Sequence, residues 1–294
     1  MSMEAEHMRD YTVMLNDGRK LGYAEYGQID GEAVFVFHGT PGARYQIYAA
    51  RLESIAKEGP VPLRIFVPER PGYGLSDAKA GRTLDDWCQD FEALADEIGI
   101  KRFSIVGISG GAPFALACTY RMPTRVRKTA VICGMGPIDI LGQEGLCLFT
   151  EEKICLQGPE FTRAYITKLA NMVNANPDSF TEYYIDNLPE LDRKLISDDL
   201  VPVLKQSGIE ATRQVEGMVD DYVIFGQPWN IPLQKIRVPV TFWHSEDDHV
   251  VPIRYADYLA SIIPNAKLRR MQDYDHFGSF LAAQPELYDF LTLD

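Results

Sequence analysis

A serine framed by glycines is the first feature of this chain that could do chemistry. Gly107-Ile108-Ser109-Gly110-Gly111 has the G-x-S-x-G spacing, directly after an apolar, β-branched run and directly before an alanine-rich one. A strand–turn–helix of that kind lifts a serine hydroxyl to the top of a sheet. Gly107 and Gly111 remove Cβ atoms that would collide where strand and helix pack closely, and the helix N-terminus favours developing negative charge. The spacing is neither a P-loop nor a dinucleotide fingerprint, so it points to a nucleophile rather than a phosphate cradle. Acyl transfer to serine also needs two N–H donors aimed at the oxyanion. Gly110 supplies one. His38-Gly39-Thr40-Pro41-Gly42, again straight after an apolar run, supplies the other through Thr40, because Pro41 has no N–H to give. His38 is expected to pin this loop rather than to act as a base.

The elements that must position these residues follow from periodicity. Tyr11–Leu15 and Lys20–Tyr26 read as strands around Asn16-Asp17-Gly18-Arg19, whose Asp-Gly pair suits a hairpin turn. Ala33–His38, Leu63–Pro68 and Phe103–Ile108 are continuous apolar runs, the pattern of strands buried on both faces. Helical periods lie between them at about Tyr45–Lys57 and Leu84–Ile98, the latter with Thr83 as N-cap. A helix over Ala112–Arg121 and a strand over Lys128–Cys133 continue the alternation. From about Ile138 to Lys235 only helical periods occur, with boundaries near Gly158-Pro159, Asn176-Pro177, Leu188-Pro189 and Val201-Pro202. The alternation then resumes with Val240–His244, Ile253–Ile263, Leu268–Gln272 and a closing helix after Phe277. The expected fold is α/β: a mostly parallel, doubly wound sheet from residues 1–138 plus 236–294, interrupted by a helical insertion over 139–235. The insertion falls between two strands, so it should sit over the sheet's carboxyl edge, where open α/β sheets bind ligands.

Composition narrows the partners. With 29 basic against 42 acidic residues the 294-residue chain carries a net charge of −13, which repels phosphate backbones and anionic lipid. Nucleic acid and membrane partners are therefore not expected. The start, Met1 to His7, is polar, and no apolar run approaches the roughly 20 residues of a membrane span. Five cysteines (Cys88, Cys118, Cys133, Cys147, Cys155) form no C-x-x-C pair, so reduced thiols in a cytoplasmic protein are expected and a metal motif is not. Gly142 to Asn230 holds 15 acidic and 7 basic residues, a surplus of 8, which weighs against a strongly anionic substrate. Its aromatic residues, among them Phe149, Phe161, Tyr222, Phe225 and Trp229, are expected mostly to pack helices together, some of them lining an apolar pocket.

Taken in order, HGTPG at 38–42, Glu69-Arg70-Pro71-Gly72-Tyr73-Gly74-Leu75-Ser76, GISGG at 107–111, an acid-bearing loop and a late histidine resemble the α/β-hydrolase family along nearly the whole chain. The resemblance implies a helical cap for the insertion, a structural turn for Arg70 to Ser76, and the chain order Ser, Asp or Glu, His. The loop Trp243-His244-Ser245-Glu246-Asp247-Asp248-His249-Val250-Val251-Pro252 offers three carboxylates. Anchoring the family pattern on Val251-Pro252 puts Asp248 in the acid position, with Asp247 as the alternative and Ser245 where the family usually has glycine. Asp275-His276-Phe277-Gly278 matches the terminal histidine turn, which makes His276 the base. A serine at the elbow implies a serine hydrolase acting on a small to medium, apolar carboxylic ester (or a thioester or lactone) through an acyl-enzyme, with no metal or organic cofactor. Carbon–carbon hydrolases, aminopeptidases resembling proline iminopeptidase and small-molecule receptors built on this fold keep similar residues and stand as the alternatives.

Overall fold

The computed structural model describes residues 8–146, 158–198 and 200–293. His7, Cys147, Phe149 and Cys155 lie outside the described residues. Strands β1 (Arg9–Met14) and β2 (Lys20–Gly27) form the expected hairpin, with Gly18 at φ 84° in its turn. Then follow β3 (Glu32–Phe37), α1 (Ile47–Glu58), β4 (Leu63–Pro68), α2 (Leu84–Glu97), β5 (Phe103–Ile108), a 3₁₀ turn at Ser109–Gly111, α3 (Ala112–Arg121) and β6 (Val126–Ile132). After the insertion come β7 (Val240–Ser245), α10 (Arg254–Ile262), β8 (Ala266–Met271) and α11 (His276–Thr292). The eight strands form one sheet in the order β1-β2-β4-β3-β5-β6-β7-β8, parallel from β4 to β8 and antiparallel at β1 and β2.

Both faces of the sheet are covered because the central strands carry apolar side chains on both faces, with polar residues such as Glu32, Arg64 and Ser104 confined to their starts. Phe35, Phe37, Phe66 and Ile105 pack with Trp87 of α2, Phe114 of α3 and Leu259 of α10. Their neighbours Val34, Val36, Ile65 and Val106 point the other way, onto Leu52 of α1 and Phe280 and Leu287 of α11. Thr83 caps α2 through a reciprocal capping box with Asp86.

Two expected boundaries move for local reasons. The strand expected over Lys128–Cys133 spans Val126–Ile132, because Cys133 adopts φ 47° and leaves the extended region. The closing helix begins at His276 rather than after Phe277, because the Asp275 side chain accepts the His276 N–H as N-cap.

Between β6 and β7 the described residues contain helices and no strand: α4 (Ile138–Leu141), α5 (Pro159–Ala175), α6 (Pro177–Asp186), α7 (Glu190–Arg193), α8 (Val201–Ala211) and α9 (Glu216–Phe225). The four proline-marked boundaries all open helices. Pro159, Pro177 and Pro202 sit in first turns and Pro189 just before α7, where a missing N–H costs nothing.

The parallel register sets what meets at the carboxyl edge. Phe37 pairs with Gly107, Ile108 with Ile132, Ile132 with Trp243, and Ser245 with Met271. The chain segments leaving β3, β5, β6, β7 and β8 therefore emerge side by side.

Candidate active site

Ser109 follows β5 at φ 49°, a left-handed conformation that a side-chain-bearing residue adopts only at a cost. Close packing holds it there. A Cβ on Gly111 would fall 2.3 Å from the Phe37 carbonyl oxygen, so the turn is pressed against the end of β3. Ser109 accepts the Met135 N–H at 3.1 Å and opens directly into α3.

His276 and Asp248 complete a hydrogen-bonded chain. His276 Nδ1 donates to Asp248 Oδ2 at 2.9 Å, which leaves Nε2 bare to accept from Ser109 Oγ at 3.0 Å. The other oxygen of Asp248 accepts the N–H groups of Val250 and Val251 at 2.9 and 2.8 Å. Burial by itself would raise the Asp248 pKa, but His276 and then His244, whose Nε2 lies 3.3 Å away, outweigh it and hold the carboxyl below its ordinary range. His276 is pulled down by burial and pushed up more strongly by Asp248, Asp192 and Asp275, for a net rise above the usual histidine value.

The neighbouring acids point elsewhere. Asp247 is exposed and its carboxylate accepts the Asp273 N–H at 3.3 Å, and Glu246 meets Arg270 at the surface. His249 is three-quarters exposed and bonds Asp275 at 2.7 Å. His244 donates to the Val251 carbonyl at 2.7 Å and is buried. Ser245, the departure from glycine, has a structural cause. Its hydroxyl donates to the Tyr274 carbonyl at 2.6 Å and accepts the Asp247 N–H at 3.2 Å, stitching the acid loop to the histidine turn.

The loop at 38–42 lies against the serine turn. A Cβ on Gly110 would meet Thr40 Oγ1 at 2.7 Å and Phe225 Cζ of α9 at 2.9 Å, so only glycine fits under that ring. His38 is fully buried, with Nδ1 donating to the Gly39 carbonyl at 2.8 Å and Nε2 accepting the Arg70 N–H at 3.3 Å. Burial and then Arg70 push its pKa well down, so it is a neutral spacer. Arg70 also donates to the carbonyls of His38 and Gly39 at 2.7 and 3.0 Å.

Asp221, which sequence reasoning missed, is the anchor of this loop. It comes from α9, is fully buried, and accepts from Thr40 Oγ1 at 2.6 Å, Arg70 Nη2 at 2.6 Å, Tyr73 Oη at 2.7 Å and Arg82. The one available signal was an acidic pair inside an otherwise apolar helix. Asp221→Asn should leave two buried guanidinium groups undercompensated and cost about 3–5 kcal/mol, read as a fall in the urea unfolding free energy. A loss below about 1 kcal/mol, the range of exposed pairs, would show that the cluster is not held dry.

Cys133 Sγ, Asp248 and His276 place ligand-capable atoms within 4.8 Å of one another. They do not make a metal site: Asp248 and His276 are bonded to each other, and burial first, then Asp248, pushes the Cys133 thiol well above its usual pKa. Two surface hollows of about 330 and 410 Å³, beside Cys88 and beside Trp243, are lined by none of Ser109, Asp248, His276, Thr40 and Gly110. Among the described residues no helix is long and apolar enough to cross a membrane.

A profile of the alpha/beta hydrolase fold matches residues 32–283. The chain belongs to this family. Its relatives include a bifunctional esterase/perhydrolase of Acinetobacter calcoaceticus, 26% identical over 90% of this chain and 92% of that protein. A 2-hydroxy-6-oxononadienedioate/2-hydroxy-6-oxononatrienedioate hydrolase of Pseudomonas putida is 26% identical over 94% and 91%. Among solved structures, a thermophilic esterase from Thermogutta terrifontis superposes with a TM-score of 0.69, covering 96% of this chain and 98% of that one at 17% identity, which shows the shared fold.

Proposed function

We propose that this family member is a serine hydrolase cleaving a small to medium, apolar carboxylic ester, thioester or lactone through an acyl-enzyme. The observation that carries this is the Ser109–His276–Asp248 chain, with contacts of 3.0 and 2.9 Å, at the mouth of a left-handed turn. Ser109 Oγ attacks the carbonyl carbon while its proton passes to His276 Nε2, and Asp248 holds the ring's tautomer and stabilises the imidazolium. The N–H groups of Thr40 and Gly110 receive the oxyanion. Arg70 and Asp221, braced against Thr40 from below, keep that loop from relaxing as charge builds. His276 then gives its proton to the leaving alcohol and activates water on the acyl-enzyme. The experiment is labelling by a fluorophosphonate, followed by turnover on an ester chain-length panel that includes a diketone for carbon–carbon cleavage.

Helices α4 to α9 act as a cap in this scheme and set acyl-chain preference. Phe225 of α9, buried against Gly110, brings an aromatic ring of the cap to the serine turn. Trimming Phe225 to Ala should change the kcat/KM ratio between hexanoate and acetate esters by on the order of 10–200-fold, the range open to hydrophobic discrimination. An unchanged ratio in the folded variant would exclude Phe225 from the acyl pocket. The acidic surplus of the insertion disfavours dianionic substrates such as the one named for the Pseudomonas putida relative.

Enzyme is favoured over receptor by how the cap is tied down. Three of its buried carboxylates bond core groups: Asp192 to α11, Glu210 to Arg44 at 2.8 Å, and Asp221 to Arg70. A signalling cap would have to break these to move as a unit. The free, buried thiols of Cys88, Cys118 and Cys133 support a reducing compartment, the cytoplasm.

A further inference from the structure

The helix that begins with His276 is not capped by its own sequence alone. Asp275, its N-cap, turns its carboxylate to the N–H groups of His276 and His249 at 2.8 and 3.0 Å. The next two N–H groups, Phe277 and Gly278, would normally look to that N-cap or to water. Here both donate to Asp192 of α7, to Oδ2 and Oδ1 respectively, at 2.7 Å each. Ser279 N–H returns to the Asp275 carbonyl at 3.0 Å, so all four leading donors are satisfied.

The contact is built, not incidental. Asp192 is 1% exposed although it sits in a four-residue helix with charged neighbours Glu190 and Arg193. A Cβ on Gly278 would fall 2.8 Å from Leu195 Cδ1 and 3.2 Å from Asp192 Oδ1, so glycine at 278 is what admits the carboxylate. Leu200 and Phe277 pack together beside it, with Ile196 and Leu204 against them, which keeps water from competing.

We propose that Asp192 is a positioning residue for the general base: as the second cap of α11 it ties the docking of the inserted helices to the alignment of His276. When α7 is seated, the helix start is rigid and the imidazole stays between Ser109 and Asp248. When α7 lifts, two N–H groups next to the base lose their acceptor and the ring loses its fixed frame. The proposal rests on the hydrolase function above. Its charge is the second part of the effect, since Asp192 lies among the groups that raise the His276 pKa.

The groups facing His276 are Ser109, Asp248, Asp275, Asp192, the Cys133 thiol within 4.8 Å, which burial and Asp248 keep protonated, and the Phe280 ring, 5.7 Å away and edge-on. His249 also bears on it indirectly through Asp275, and its own pKa is raised by that bond.

The kcat/KM profile of the full chain against pH tests this. His276 must be neutral to accept the serine proton, so kcat/KM falls as pH drops through a value above the ordinary 6.5. Asp192→Asn can still accept one N–H but removes the charge. It should move that acid limb down by roughly 0.5–1 pH unit and lower the plateau kcat by on the order of 10–100-fold. Asp192→Ser should move the limb the same way, which guards against poor folding of the first variant. Glu210→Gln weakens the tie of α8 to Arg44 while leaving the Asp192 caps of α7 on α11 in place, and should leave the limb where it is. Pairing each variant with His249→Gln separates the surface histidine's titration. In the unaltered protein the Phe277 and Gly278 amides should exchange slowly with deuterium. An unmoved limb with a plateau kcat close to that of the unaltered enzyme, an equal shift in Glu210→Gln, or fast exchange at 277–278 overturns the proposal. Full turnover by Ser109→Ala would instead defeat the hydrolase function itself.

Discussion

Ser109→Ala should abolish fluorophosphonate labelling and lower kcat by about 10⁴-fold or more, while the protein unfolds at an unchanged urea midpoint. The size follows from the unit it breaks: without Oγ the His276–Asp248 pair has nothing to deprotonate, and only binding and the oxyanion donors remain. The unchanged stability follows from geometry. Ser109 Oγ bonds His276 in a partly open position, and alanine meets the same backbone conformation at φ 49° that serine already tolerates. The other serines near the site are poor substitutes. Ser76 is fully buried and its hydroxyl donates to the Glu69 carbonyl at 2.7 Å, and Ser104 is 2% exposed within β5. Label recovered at either of them, or labelling that survives the substitution, would remove Ser109 from the role of nucleophile.

Asp248→Asn should cost about 10⁴ in kcat with the fold intact, as for comparable triads. An asparagine oxygen can still accept the Val250 and Val251 N–H groups, so the loop keeps its shape. The amide nitrogen then faces His276 Nδ1 and donates to it. That forces the proton onto Nε2, where it points at Ser109 and can no longer accept. Asp247→Asn, at an exposed residue whose carboxylate takes a long bond from the Asp273 N–H, should leave kcat nearly as it was. Measured side by side, the two variants separate adjacent carboxylates. If Asp247→Asn is the crippling change, the base is oriented by a loop conformation other than this one, while the serine and histidine assignments stand.

Much of this molecule is written in local sequence. Apolar runs over Leu63–Pro68 and Phe103–Ile108 can only be strands covered on both faces, and both are. Prolines at 159, 177, 189 and 202 mark helix starts because the constraint they obey, a missing N–H in or just before the first turn, involves no distant partner. The glycine at 107 is likewise locally readable, since a Cβ there would meet Ala115 of the helix that follows at 2.6 Å. The order of the loops along a parallel sheet then follows from strand order, so the serine, the loop at 38–42 and the late histidine are legible in the sequence.

What stayed hidden depends on contacts between residues far apart in the chain or on a one-residue register. Successive side chains of a loop point in different directions, so which of Asp247 and Asp248 reaches His276 is decided by the Val250 and Val251 N–H groups that hold one of them. Thr40 and Asp221 are separated by 181 positions, and Asp192 and Phe277 by 85. A carboxylate that satisfies another element's N–H groups leaves no periodicity or spacing in its own neighbourhood. In sequence it looks like one more charge on a solvated helix. Only packing of the inserted helices onto the carboxyl edge takes those charges out of water, and once there each must find a donor, because an unpaired buried carboxylate would cost several kcal/mol.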